Sequence, residues 1–197
     1  DSFGNNRGPL VRRNLMENNA INAMQIRGAT LQTQSVWDDT DIVHYLEDTI
    51  YIPDMVHYGG LRLESSPNES LVVKFNGGGL EATGRPLEIE DRIGGMLHIV
   101  GAPGFPVVLT SIHDDTVGAG FDPRFFPLND TNNNDALTTP SGTNWDGIKI
   151  DQFAHDRNVQ IIAEQELNQV VAPGVNAIPQ TAQLLGTLAD GEKDTDE

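Results

Sequence analysis

Short apolar runs recur along the chain and are separated by Gly, Pro, Asn and Asp. Within each run apolar and polar residues alternate, as in Leu97-His98-Ile99. This alternation places one face of a strand inward and the other outward. The pattern predicts an all-β protein built from short strands, four of which have the same apolar–polar–apolar centre: residues 23–26, 60–63, 96–99 and 147–150.

The spacing of these strands predicts a repeat. Met24, Leu61, Leu97 and Ile148 follow one another at 37, 36 and 51 residues. Further strands are expected at matching offsets, at residues 50–52, 71–74, 87–89, 107–110 and 159–162. Three strands in about 36 residues favour a solenoid, in which each coil buries its inner face only against its neighbours. A sandwich of hairpins would explain the short strands but not the repeated spacing.

The repeat predicts which residues stack. We expect Leu61, Leu97 and Ile148 to share one parallel ladder, with Leu61 lying over Met24. The neighbouring inward positions Leu63, Ile99 and Ile150 should then lie in the same core.

The stretch 94–150 carries a resemblance to a known family. It reads GGMLHIVGAPGFPVVLTSIHDDTVGAG, then an NDTNNND loop, then PSGTNWDGIKI. This order resembles a turn of the right-handed parallel β-helix of large secreted or surface-exposed bacterial proteins. The resemblance implies a β-helix over 1–162, with three strands in each coil of about 36 residues and a loop insertion at about 114–144. An acidic tail is expected at 163–197, in which NAIPQTAQLLGTL resembles the entry into a pre-peptidase C-terminal-like domain.

Composition narrows the chemistry. The chain has 197 residues, no Cys and a net charge of −17. Disulfides, thiolate metal sites and thiol nucleophiles are therefore excluded. Such a surface repels nucleic acid and anionic lipid and favours multivalent cations. No apolar run approaches the roughly 18 residues of a membrane span, so we expect no membrane insertion.

The polar loop supplies a candidate metal site. Asp130, Asn132 and Asn134 place oxygen ligands at alternate positions, which lets a short loop wrap a hard cation. The loop differs from an EF-hand, because its sixth position lacks Gly and its twelfth lacks Glu. Asp114 and Asp115, at the base of the same insertion, could complete the shell. We predict Ca²⁺ at these five residues, as the β-helix resemblance also implies; a solvated turn is the alternative.

Further acidic, histidine and tryptophan residues are candidates for catalysis or binding. Asp38, Asp39 and Asp41 form a second acidic cluster, and acid pairs on a β-helix face serve polysaccharide lyases and hydrolases. No Arg or Lys has a spacing that marks it as the base of such an enzyme. His113, beside Asp114, is a further candidate ligand. Trp37 and Trp145 fit corner packing better than sugar platforms.

These features favour a secreted or cell-surface structural module without enzymatic activity. We expect a calcium-supported segment of an adhesin-like or filament-forming protein, with no catalytic or organic-cofactor residues. A polysaccharide-active enzyme and a carbohydrate-binding module are the alternatives, so polysaccharide is a further expected partner. The main expected partners are neighbouring copies or adjacent segments of a longer chain, reached by strand addition of residues 181–188.

Overall fold

The computed structural model of the chain describes residues 8–54, 60–84, 92–93, 95–135, 137–155 and 157–158. In this part of the chain every regular element is a β-strand and no helix occurs, which confirms the all-β prediction. The strands are β1 Met24–Ile26, β2 Ser35–Trp37, β3 His44–Leu46, β4 Ile50–Ile52, β5 Leu61–Glu64, β6 Leu71–Phe75, β7 Gly79–Ala82, β8 Arg92–Ile93, β9 Leu97–Val100, β10 Val107–Ser111, β11 Gly147–Ile150 and β12 Arg157–Asn158.

Three parallel sheets form the framework. The first sheet has the strand order β2-β5-β9, the second β1-β3-β6-β10 and the third β4-β7-β11. The short strands β8 and β12 pair antiparallel. From β2 onward the chain passes through the first, second and third sheets in the same order three times. Each parallel pair among these strands therefore joins two successive passes, and β1, which precedes the first pass, pairs with β3.

The predicted pairing of Leu61 with Leu97 is confirmed, whereas the predicted positions of Ile148 and Met24 in the same ladder are wrong. Leu61 pairs with Leu97 in the first sheet, 36 residues away, as predicted. Ile148 pairs with Leu80 in the third sheet, so it does not continue that ladder. Met24 pairs with His44 in the second sheet and does not lie under Leu61. The spacing of 36 residues thus holds only between the second and third passes of the first and second sheets. In the third sheet the long insertion between β10 and β11 lengthens it.

Some predictions fall outside the described residues. They are the strands expected at 87–89 and 159–162, the acidic tail at 163–197 and its strand at 181–188. The sequence pattern did not predict β2, β3, β7, β8 or β12. In β3 all three residues are buried. A strand buried on both faces lacks the alternation by which half-buried strands are recognised.

The main core lies between the three sheets. Its fully buried residues come from every sheet, with Leu61 and Leu63 from the first, Val73 and Phe75 from the second and Leu80 from the third. The alternating residues of β5 and β4 point the other way and are more exposed. The corner before β7 is tight, since Gly78 has φ +52° and a Cβ there would lie 2.3 Å from the backbone carbon of Asp48.

Candidate metal centre

The segment between β10 and β11, residues 112–146, covers the outer face of the second sheet. Strand β6 is consequently buried at all five positions. Its inward residues join the main core, whereas outward-facing Val72 packs with Val43 and Ala119 in a separate apolar cluster. Lys74 lies in the outward row of the same sheet, between Tyr45 and Thr110. The insertion therefore closes over a lysine that the strand pattern alone would place in solvent.

Lys74 ties both halves of the insertion to the sheet. Its side chain is fully buried. Its Nζ donates to the backbone carbonyls of Asp114, at 2.6 Å, and Asn129, at 3.0 Å. Burial lowers the pKa of Lys74 to about 8, and the charges of Asp115, Asp114 and Asp130 oppose that shift. One ammonium group thus faces three carboxylates.

The carboxylate of Asp114 has hydrogen-bond partners. It accepts from the hydroxyl of Thr110 at 2.7 Å and from the backbone and hydroxyl of Thr116. Burial raises the pKa of Asp114, but these hydrogen bonds and Lys74 outweigh it, so the pKa lies below its ordinary value. Asp114 therefore stabilises the turn after β10, and of the predicted ligands its carboxylate is the least available to bind a cation.

Asp115 is in the opposite situation. Both of its carboxylate oxygens are buried and lack a hydrogen-bond partner. Burial raises the pKa of Asp115, and the nearby charge of Asp130 raises it further, while Lys74 opposes both. A buried carboxylate without donors is unfavourable in a folded protein.

The turn at Asp130 fixes the backbone of the predicted loop. The Asp130 carboxylate accepts from the backbone N–H of Asn134 at 3.1 Å and of Asp135 at 2.8 Å. Asn133 and Asp135 adopt left-handed backbone, with φ of 51° and 53°. Asn and Asp tolerate that conformation better than other residues with a Cβ.

The amide groups of this loop leave their oxygens unpaired. The Asn132 Nδ2 lies 3.1 Å from His113 Nδ1, and the Asn134 Nδ2 donates to Thr138 Oγ1 at 2.6 Å. Thr138 Oγ1 in turn lies 2.8 Å from His113 Nδ1. The Oδ1 atoms of Asn132 and Asn134 are buried without a hydrogen-bond partner. His113 thus contacts the predicted site through Asn132 and Thr138.

The unpaired oxygens define what the site can do chemically. Two come from Asp115 and one each from Asn132 and Asn134. Carboxylate and amide oxygens are the ligands that Ca²⁺ takes in proteins, and His and Cys are not needed. In the described part of the chain no three His, Cys, Asp or Glu side chains are grouped to hold a metal ion. A cation here would accordingly depend on amide oxygens together with Asp115 and Asp130.

The second acidic cluster is held by a different part of the chain. Asp39 accepts from the backbone N–H of Val11 at 3.2 Å, and Asp41 accepts from that of Arg13. Asp39 is buried, and burial raises its pKa. These two carboxylates therefore fasten the first described segment to the sheets.

A groove lined by acidic residues lies elsewhere on the molecule, and its composition bears on whether the chain could act on polysaccharides. An open cavity of about 440 Å³ is lined by Glu47, Asp48, Tyr51 and Asp146, and no Arg or Lys is among its described lining residues. Glu47 is itself engaged, since it accepts from Tyr45 Oη and from Gln25 Nε2, each at 2.7 Å. Burial and the bond to Glu47 raise the pKa of Tyr45 to about 12. The groove offers acids without the base that a polysaccharide lyase requires.

Comparisons with family models, curated proteins and solved structures found no match to this chain. Within the described residues, no helix is long and apolar enough to span a membrane.

Proposed function

We propose that this chain is a right-handed parallel β-helix and serves as a calcium-supported structural module of a secreted or surface protein. The repeated passage through three parallel sheets supports the helix, because each pass corresponds to one coil. The three sheets surround one aliphatic core, as stacked coils require.

The observation that carries the calcium proposal is the set of buried oxygens without partners on Asp115, Asn132 and Asn134. We place the ion between these oxygens, with Asp130 and Asp114 contributing charge. Three carboxylates surround the single ammonium of Lys74. This cluster has an excess of negative charge, which a divalent cation would balance. A separate cation also explains why Asp115 tolerates burial beside Asp130.

The role of the ion in this proposal is structural. The insertion already contacts the second sheet through Lys74 and the Val72 cluster. A cation between its two limbs, at residues 115 and 130–134, would hold it closed over the sheet. Modules outside cells typically bind calcium with a Kd of about 10⁻⁴–10⁻³ M, so saturation is expected in calcium-rich fluids.

A calorimetric titration of the chelator-treated chain with CaCl₂ tests the proposal. We expect one site per chain in this range and weaker binding of MgCl₂, since Mg²⁺ requires near-ideal octahedral geometry. Asn134→Asp adds a carboxylate at an unpaired oxygen and should tighten binding. Asp146→Asn removes an exposed charge elsewhere and serves as the matched control. Absence of heat at millimolar calcium, with the sheets intact by circular dichroism, would refute the calcium site.

A further inference from the structure

A cavity of about 340 Å³ lies beside the main core, between strands β1, β2 and β3. Its walls are mainly apolar, and they include Met24 and Ile26 from β1, Trp37 from β2 and His44 from β3. These side chains lie in the inward-facing rows of their sheets, as the pairing of Trp37 with the core residue Leu63 indicates. The cavity therefore extends the apolar interior, and the described residues leave it unfilled.

His44 is the unusual member of this wall. It is 1% exposed, and its Nδ1 is buried without a hydrogen-bond partner among the described residues. Burial lowers the pKa of His44, and the Ile42 carbonyl opposes that shift without forming a hydrogen bond to Nδ1. A buried ring nitrogen without a partner is unfavourable. The cavity is the unfilled space beside this ring, so a partner could come from there.

The charged residues of the cavity wall balance one another. Arg27 and Asp39 both line the cavity, and each contributes one charge of opposite sign. Asp39 is buried and accepts the Val11 N–H at 3.2 Å, whereas Arg27 is exposed. The other polar residues among the described lining are Gln25 and Ser35. An ion of either sign would bring an unbalanced charge into a largely apolar space, so the walls favour an uncharged ligand.

We propose that this cavity binds a small uncharged molecule with one aromatic ring and one hydroxyl, which forms a hydrogen bond with His44 Nδ1. A hydroxyl both donates and accepts, so it suits either tautomer of a neutral imidazole. Trp37 supplies an aromatic wall, which favours a ring as the apolar part. Small-molecule sites typically have about 300–1,000 Å³, apolar walls and few polar groups. The inference goes beyond the structural role proposed above and does not involve the calcium site.

Two probes of nearly the same shape separate the hydrogen bond from the apolar contacts. The first probe, para-fluorophenol, has a hydroxyl where the second, para-fluorotoluene, has a methyl group. Fluorine NMR titration of the full chain measures the affinity for each. The ratio of the two affinities in one protein is then compared with the ratio in its variants, which cancels the general preference of apolar walls for the less polar probe.

Three variants locate the site. His44→Phe keeps a ring but removes the nitrogens, so the affinity ratio of the phenol to the toluene should fall by a factor of at least about 5. Met24→Trp fills the cavity from a half-buried position and should abolish binding of both probes. Phe125→Ala is the control, because Phe125 is 71% exposed in the insertion and offers apolar probes a non-specific contact. Its affinities should equal those of the wild type.

Circular dichroism establishes that each variant is folded, and His44→Leu replaces His44→Phe if the latter is not. A folded wild type that binds neither probe at millimolar concentration would overturn the proposal, since the cavity would then be closed or filled by another part of the chain. An affinity ratio that does not change at position 44, or binding that persists in Met24→Trp, would overturn it as well. Titrations in chelator and in calcium should agree, which keeps this result separate from that of the calcium site.

Discussion

Two acid-rich regions of the chain look alike in sequence and differ in their partners. Asp39 and Asp41 accept backbone N–H groups from residues 11 and 13. In the insertion, both oxygens of Asp115 are buried without any hydrogen bond. The first region has its acceptors satisfied by the protein, whereas the second requires something from outside. The comparison shows that unpaired acceptors, not the density of acids, locate a candidate cation site.

The largest effect on stability is expected from substitution of Lys74, whose positive charge partly neutralises the carboxylates of the insertion. Lys74→Met removes the ammonium that contacts the Asp114 and Asn129 carbonyls and leaves the negative charge of the nearby carboxylates less balanced. Loss of one partner from such a buried group costs about 3–5 kcal/mol. We expect a loss of unfolding free energy of that order in chelator and a smaller loss in calcium, measured by urea denaturation. Equal losses under both conditions would mean that no cation shares this cluster.

The first region should show a pH dependence of its own. His44 is 1% exposed and stacks on Trp37, with ring centroids 5.6 Å apart. Burial lowers the pKa of His44 to about 4, while the Ile42 carbonyl and Asp38 oppose the shift. The unfolded chain therefore binds this proton more readily, so stability is lost as pH falls from about 6.5 towards 4.

The expected loss is about 3 kcal/mol across that window, because the pKa of the buried ring lies at about 4 in the folded chain and at about 6.5 in the unfolded chain. His44→Phe removes this contribution. Urea denaturation of both proteins at pH 7 and pH 4.5 provides the measurement. If the variant loses as much stability on acidification as the wild type, His44 is not the group responsible.

The same substitution in the two regions sharpens the comparison. In chelator, Asp115→Asn removes an unpaired buried charge and should raise the unfolding free energy by about 1–3 kcal/mol. Asp39→Asn retains the acceptor for Val11 and should change the unfolding free energy by less than about 1 kcal/mol. Thermal denaturation of both variants without calcium provides the test. Similar shifts in the two variants would remove the distinction between the regions.

The smallest expected effect concerns the fastening of the first described segment. Asp39→Ala deletes the acceptor for the Val11 N–H and should cost about 1 kcal/mol, with the same value in calcium and in chelator. Limited proteolysis near residue 11 should become faster. A cost that depended on calcium would place a cation in this region too.

The sequence predicted several strands well, because their alternation was clear. β11 has the predicted bounds, and the strands around Leu61, Leu71, Leu97 and Val107 were also expected. The register of Ile148 was wrong, because counting residues cannot tell which sheet a strand joins after a long insertion. Asp130, Asn132 and Asn134 were recognisable by their alternate spacing. The burial of Lys74 was not, since an outward residue of a strand is exposed unless another segment covers it.

The most direct test of the account compares the melting temperatures of the wild type and the Asp115→Asn variant in chelator and in calcium. At roughly 10 mM calcium and the expected Kd, binding stabilises the wild type by about 1.4–2.7 kcal/mol, or about 3–10 °C. Without calcium the variant should melt above the wild type, and calcium should raise the melting temperature of the wild type by more than that of the variant. A wild type that melts at the same temperature under both conditions would contradict the calcium-supported module.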